Sequence, residues 1–280
     1  MKRQGLSKFG RNGLAVGIVG LSLAYAAQGG VPLNNLQGVG GVAFNPLAYP
    51  AGQNKGSNSW EQVISKPQVG SWYVHLNESD INWNAIGGAV SLFDRLELSY
   101  GYEAIAISGG PSIDKNNIGA KLNLVPENAG GYGFVPALSV GTIWKQTSKV
   151  LVPGADDKAF DFYLVATKLI TQTPLPVLVS GGLLSSKEYV TGVAGFDSDS
   201  KITGFANVEV ILPYGLALGG EFKQGEKYAT FENANYWDVS LAWMATKNLT
   251  LAVAYVDTGK NQASPFGLGS GTVLSAQYAF

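Results

Sequence analysis

Thr272-Val273-Leu274-Ser275-Ala276-Gln277-Tyr278-Ala279-Phe280 is the stretch that decides the fold. Thr272, Leu274, Ala276, Tyr278 and Phe280 fall on one face, and Val273, Ser275, Gln277 and Ala279 on the other. A repeat of two marks a strand, because successive side chains of a strand point to opposite faces. One face here is apolar and finishes on two aromatic residues.

The same period runs back through the chain to Lys66. It divides the sequence into about twelve segments of the length a tilted membrane strand needs: 67–77, 81–93, 95–106, 115–125, 134–146, 159–171, 176–189, 201–212, 215–225, 235–245, 248–258 and 270–280. In the third, Leu96, Leu98, Tyr100 and Tyr102 oppose Glu97, Ser99, Gly101 and Glu103. In the fourth, Ile118, Ala120, Leu122 and Leu124 oppose Asn117, Gly119, Lys121 and Asn123. In the tenth, Trp237, Val239, Leu241 and Trp243 oppose Asp238, Ser240, Ala242 and Met244.

A soluble sandwich also alternates, with its apolar face inward. Three features favour a closed barrel in a bilayer. Aromatic residues sit near segment ends (Tyr102, Trp144, Trp237, Tyr255, Tyr278, Phe280), as interfacial girdles do. The opposite faces carry Gly, Ser, Asn and charges of both signs. The last segment runs to Phe280, so it is placed to pair with the first and leave no edge. Connections after even-numbered segments are mostly short, as at Asp94-Arg95, Pro213-Tyr214-Gly215 and Thr246-Lys247-Asn248, and those after odd-numbered ones mostly long. Glu78-Ser79-Asp80 and 126–133 break that rule. The expected fold class is therefore all-β, a single transmembrane antiparallel β-barrel of about twelve strands over 66–280.

Residues 1–26 read as a cleaved signal peptide: Lys2, Arg3, Lys8 and Arg11, then an apolar run from Gly13 to Ala26 ending in Ala24-Tyr25-Ala26. Removing those four basic residues leaves 15 basic against 20 acidic residues, a net charge of −5, which gives no basis for a nucleic-acid partner. The chain has no cysteine and one histidine, so no metal site and no cofactor are expected. An exported chain of this kind, with no stretch of about eighteen uninterrupted apolar residues after the leader, crosses a membrane only as a closed barrel. The expected location is the outer membrane of a Gram-negative cell, with its lipid as partner.

Gly38-Val39-Gly40-Gly41 leading to Asn45-Pro46-Leu47-Ala48, then Phe93-Asp94-Arg95-Leu96-Glu97-Leu98-Ser99 and Asp161-Phe162-Tyr163-Leu164-Val165-Ala166-Thr167-Lys168, resemble a bacterial family catalogued as domain of unknown function 3034. Asn248-Leu249-Thr250-Leu251-Ala252-Val253-Ala254-Tyr255-Val256-Asp257 is similar to it as well. The resemblance runs from about residue 29 to the C-terminus. It implies an exported outer-membrane barrel and transfers no functional residues. The last segment also resembles the barrel-assembly signal, with Tyr278 and Phe280 in its aromatic places; Ser275 and Val273 depart from the usual glycine and polar residue. That resemblance implies the barrel-assembly machinery as a transient partner.

The residues expected to line the lumen are His75, Glu97, Glu103, Lys121, Lys145, Asp161, Glu209, Glu221, Lys223 and Asp238. His75 is placed inward with Ser71, Tyr73 and Asn77, leaving Gly70, Trp72, Val74 and Leu76 to the lipid. Charges inside a barrel must be paired or wet, so they either line a polar path or fill the lumen with ion pairs. Gly101, Gly119, Gly141 and Gly219 on the inner face argue for some space. Twelve strands lie between a barrel filled by side chains and an open pore. The segment 27–65 carries Val42, Phe44, Leu47 and Tyr49, too apolar for a free linker, and is read as a lumen plug or a periplasmic cover. Lys168 breaks its lipid face and is expected to snorkel at an interface. No catalytic residue is assigned. The leading reading is a passive, porin-like channel for small or amphipathic solutes. A structural or interaction barrel with a filled lumen is the alternative, and a lipase or protease barrel the least favoured.

Overall fold

Alternating apolar and small or polar residues give the backbone one side for lipid and one for the lumen, and closure then satisfies every strand edge. In the computed structural model, which describes residues 33–52, 63–229, 232–259 and 268–280, the chain does this with twelve strands. They are β1 (Gln68–Leu76), β2 (Ile81–Leu92), β3 (Leu96–Ile107), β4 (Ser112–Val125), β5 (Ala137–Thr147), β6 (Lys158–Ile170), β7 (Val177–Glu188), β8 (Phe196–Ile211), β9 (Leu216–Lys223), β10 (Tyr236–Met244), β11 (Leu249–Asp257) and β12 (Ser270–Ala279). Each pairs antiparallel with its sequence neighbours, and β1 pairs with β12 from Gln68↔Ala279 to Leu76↔Gly271. The twelve-strand closed barrel read from the sequence is what the chain forms. The expected signal peptide, residues 1–26, lies outside the described residues.

The outer wall is an apolar band: Leu98, Ile118, Leu164, Leu218, Val239, Leu241, Val253 and Leu274 are all exposed. Such a surface is at home in hydrocarbon and unsustainable in water. Aromatic residues border it at both ends. Trp237 and Tyr255 meet at 5.8 Å between ring centroids near one rim, and Tyr278 and Phe280 at 4.9 Å near the other. Among the described residues no helix is long and apolar enough to cross a membrane.

The short connections, including 93–95, 212–215 and 245–248, share one rim, the turn end. The opposite rim, the loop end, carries 148–157, 189–195 and 224–235. Of these, 189–195 folds inward, and its Val190, Val193 and Ala194 are buried against Trp83, Ile105, Ile113 and Val256. Val190 and Thr191 both take positive φ (53° and 54°), a conformation a β-branched residue adopts only when its surroundings impose it.

Candidate functional site

The inner wall begins with ion pairs laid across neighbouring strands. Register places Glu97 opposite Lys121 and Glu103 opposite Lys115 on β3 and β4. Their charged atoms meet at 2.7 and 3.0 Å, fully buried. Further round, Lys145 on β5 bridges Asp161 on β6 and Glu188 on β7. Glu188 also takes Lys223 of β9 at 2.9 Å, and Lys223 reaches Glu226 at 3.9 Å. The Lys115 ammonium further donates to the Thr191 carbonyl at 2.7 Å, tying loop 189–195 to the wall.

Residues 33–52 lie inside this ring. They contain no charged side chain, and they meet the wall mainly through backbone. Gly40 and Ala51 donate their N–H groups to the two Glu97 oxygens at 2.9 and 2.7 Å, while Lys121 donates to the Gly40 carbonyl at 3.0 Å. Ala43, Phe44 and Asn45, three residues in a row, point their N–H groups at the Glu221 carboxylate. Ala48 donates to Thr167 at 2.8 Å and accepts from Asn123 and Ser139. Asn34 is fastened to Gln277 on both sides of its peptide, and its carbonyl also accepts from the Trp72 indole at 2.9 Å. Each bond from a backbone N–H to a carboxylate is worth roughly 1.5–3 kcal/mol.

Close approach completes the seat. A Cβ on Gly38 (φ +84°) would come 2.3 Å from the Tyr100 carbonyl oxygen, and one on Gly101 would come 2.4 Å from that of Gln37. The expectation of free space at the inner glycines is corrected. Gly101 is filled by residues 37–38, Gly119 by Val39 and Ser99, Gly141 by the Tyr163 ring and Gly219 by the Glu209 carboxylate.

Glu97, Glu103, Lys121, Lys145, Asp161, Glu209, Glu221, Lys223 and Asp238 all point inward and are buried. His75 does not. β1 turns Gln68, Gly70, Trp72, Val74 and Leu76 inward and Ser71, Tyr73 and His75 outward, the reverse of the sequence expectation. The cause is the filling. Leu36 and Ala43 from the inner segment, with Val190 and Val193 from the loop, give the lumen an apolar layer. Trp72, Val74 and Leu76 are shielded from water in that layer as well as they would be against lipid, so polarity does not hold them outward. His75 Nδ1 instead lies 3.2 Å from Asn82 Oδ1, which also accepts from the Tyr73 hydroxyl at 2.7 Å, and it pairs across β1–β12 with Thr272.

Sequence reasoning missed Lys115 and Glu188, both completely buried members of the ion-pair system. Lys115 opens the predicted segment 115–125 with the inner parity of Asn117, and following the alternation back to that first residue would have found it. Glu188 ends its strand beside a break in register between Ser186 and Glu188, where alternation stops being a guide. Lys168 lies on the outer face near the turn end, in an ion pair with Glu127 at 2.9 Å, and Glu127 also accepts from the Tyr49 hydroxyl. Tyr278 and Phe280 face outward at the same rim. Among the described residues no cluster of His, Cys, Asp and Glu could hold a metal ion.

A closed twelve-strand barrel with an apolar outer band and aromatic rims is an outer-membrane β-barrel, embedded in the lipid of that membrane. The chain belongs to the family described as Protein of unknown function (DUF3034), whose model matches residues 29–277. No curated protein matches it in sequence. Among solved structures it is similar to the KdgM porin, at a TM-score of 0.52 and 12% identity over 76% of this chain and 99% of that one. It is also similar to the NanC porin, at a TM-score of 0.50 and 9% identity over 76% and 98%. An outer-membrane channel from Pseudomonas putida F1 aligns at a TM-score of 0.44 and 15% identity over 77% and 93%. At 12% and 9% identity, the likeness to the two porins shows the fold alone.

Proposed function

We propose that the protein is a non-enzymatic outer-membrane conduit for small or amphipathic solutes, closed at rest by residues 33–52 acting as a plug and by loop 189–195 at the loop end. The observation that carries this is the way the plug is held. A charge-free segment is seated on the wall by backbone N–H groups, with Glu97 and Glu221 as its two anchors. Such a segment can leave without stranding a charge of its own, and it leaves behind a polar inner face on β3, β4, β8 and β9. The porin fold of the neighbours supports a conducting ancestry for the wall. Tyr278 and Phe280, outward at the closing strand, would be the contact for the assembly machinery.

The test is single-channel recording of the full chain in planar bilayers beside the variant Gly38→Val. That change drives a side chain into the Tyr100 carbonyl from the plug side and leaves the wall sequence intact. The full chain is expected to be nearly silent. The variant should open at least tenfold more often, with chymotrypsin now cutting at Phe44 or Tyr49. A wide-open full chain would overturn the plug. A variant whose plug is cut and which still carries no current would overturn the conduit. The alternative, a structural barrel with a filled lumen, would then stand; the Lys145–Glu188–Lys223 chain of buried ion pairs favours it.

A further inference from the structure

A cavity separates the inner segment from the wall strands β7–β11 at the turn end. It is continuous with solvent at its mouth. Leu178, Ile211 and Met244 contribute to an otherwise apolar wall. Three polar side chains interrupt it: Glu209, Thr250 and Gln68. All three are more than nine-tenths buried. Glu209 Oε1, Thr250 Oγ1 and Gln68 Nε2 each lack a hydrogen-bond partner among the described residues. Buried polar atoms are nearly always satisfied, so three unsatisfied ones lining one cavity mark a place where a ligand completes the set.

Charge narrows the ligand. The inner wall carries Glu97, Glu103, Asp161, Glu188, Glu209, Glu221, Glu226 and Asp238 against Lys115, Lys121, Lys145 and Lys223. The paired acids take all the lysines, and Glu209, Glu221 and Asp238 have none within ion-pair distance among the described residues. Glu221 is held by the three plug N–H groups, and Asp238 lies beside it in register across β9–β10. Glu209 is the carboxylate that faces the cavity, and an anion buried without a partner is costly.

We infer that this cavity binds a small amphipathic organic cation: an ammonium group against Glu209 and a hydrocarbon body on the apolar wall, with Thr250 on the β11 side as a further polar contact. Gln68 Nε2 donates to any acceptor the solute carries. The inference names the solute class that the conduit reading leaves open and in that respect rests on it, but binding requires no opening.

The test is calorimetric titration of the full chain in zwitterionic micelles with 2-phenylethylamine, its neutral isostere 2-phenylethanol and the anion 3-phenylpropionate. The amine is expected to bind at least tenfold more tightly than the alcohol, with no detectable binding of the anion. Glu209→Gln should remove that preference while still folding, since it deletes an uncompensated charge. Equal affinity for amine and alcohol, no binding by the folded wild type, or an unchanged preference in Glu209→Gln would each overturn the site. Amine binding by a chain that never conducts would defeat the conduit and leave the site. Conduction without amine selectivity would do the reverse.

Discussion

The inner wall has two arcs that solve the same problem differently. On β3–β7 every buried carboxylate meets a lysine from the wall itself, as in Glu97–Lys121 and Asp161–Lys145–Glu188. On β8–β10 no lysine answers Glu209, Glu221 or Asp238 among the described residues, and one of the three is held by N–H groups of residues 43–45. The first arc neutralises its charges within the wall, and Glu97 takes two plug N–H groups in addition to its lysine. The second has no lysine to answer its carboxylates and depends on whatever occupies the lumen. A charged interior is therefore not one feature: one arc pairs its carboxylates with lysines of the wall, and the other leaves three carboxylates to meet the lumen without one.

The strongest break of that contrast is Lys145→Met. Among the described residues it removes the one lysine in ion-pair contact with Asp161 and one of the two in such contact with Glu188. Truncating one member of a buried ion pair costs about 3–5 kcal/mol, because the partner stays buried and uncompensated. The denaturant midpoint of the refolded barrel should fall accordingly. The plug should remain seated as long as the barrel is folded, because its hydrogen bonds to the wall run through Glu97, Lys121, Thr167, Glu221 and Gln277 and not through Lys145. A stable Lys145→Met barrel with a freely cut plug would dissolve the distinction between the arcs.

A finer probe compares two glutamates on the second arc. Glu221→Gln leaves one oxygen to accept from the backbone donors of residues 43–45 and turns the other carboxylate position into an NH2 that faces an N–H, a loss of roughly 1–3 kcal/mol in the seating of the plug. Chymotrypsin cutting at Phe44 or Tyr49 should speed up by about tenfold, on the scale of 1.4 kcal/mol per decade. Glu209→Gln removes a carboxylate that anchors nothing, so its cleavage rate should stay at the wild-type value and its barrel stability should hold or rise. Equal loosening in the two variants would show that charge on this arc acts as a whole.

The wall was legible in the sequence because lipid imposes one rule on every strand. Leu98, Tyr100, Ile118 and Leu122 had to face out, and the parity that put them there fixed Glu97, Gly101, Gly119 and Lys121 inside. The contents of the lumen were not legible, for a physical reason. A lumen holding water demands polar lining, but a lumen holding Leu36, Ala43, Val190 and Val193 rewards apolar lining as much as the bilayer does. On β1 both faces then accept carbon, and polarity no longer tells in from out. The partners that decide the matter, residues 33–52 and loop 189–195, are distant in sequence and present no charge pattern of their own. Their seat is made of backbone N–H groups and glycine clearances, which leave almost no trace in side-chain chemistry.

His75 measures that failure and gives the smallest effect. It sits on the outer face of β1, paired with Asn82 and clear of the plug, while the adjacent Trp72 holds Asn34 from the inside. His75→Ala should shift the unfolding midpoint by no more than about 0.5 kcal/mol, the usual scale for an exposed site. It should leave conductance and plug protection unchanged. The outward position also exposes the imidazole to lipid, where a histidine oriented by Asn82, with Thr272 across the strand pair, would be placed to act on an ester if that hydroxyl were activated. The register makes them neighbours, yet the geometry gives His75 no bond to the threonine. The wild type in phospholipid micelles should release no fatty acid above a heat-unfolded control. Release that disappears in His75→Ala would replace a closed conduit by a lipid-facing enzyme, and would move the working surface of this barrel from its lumen to its outer wall.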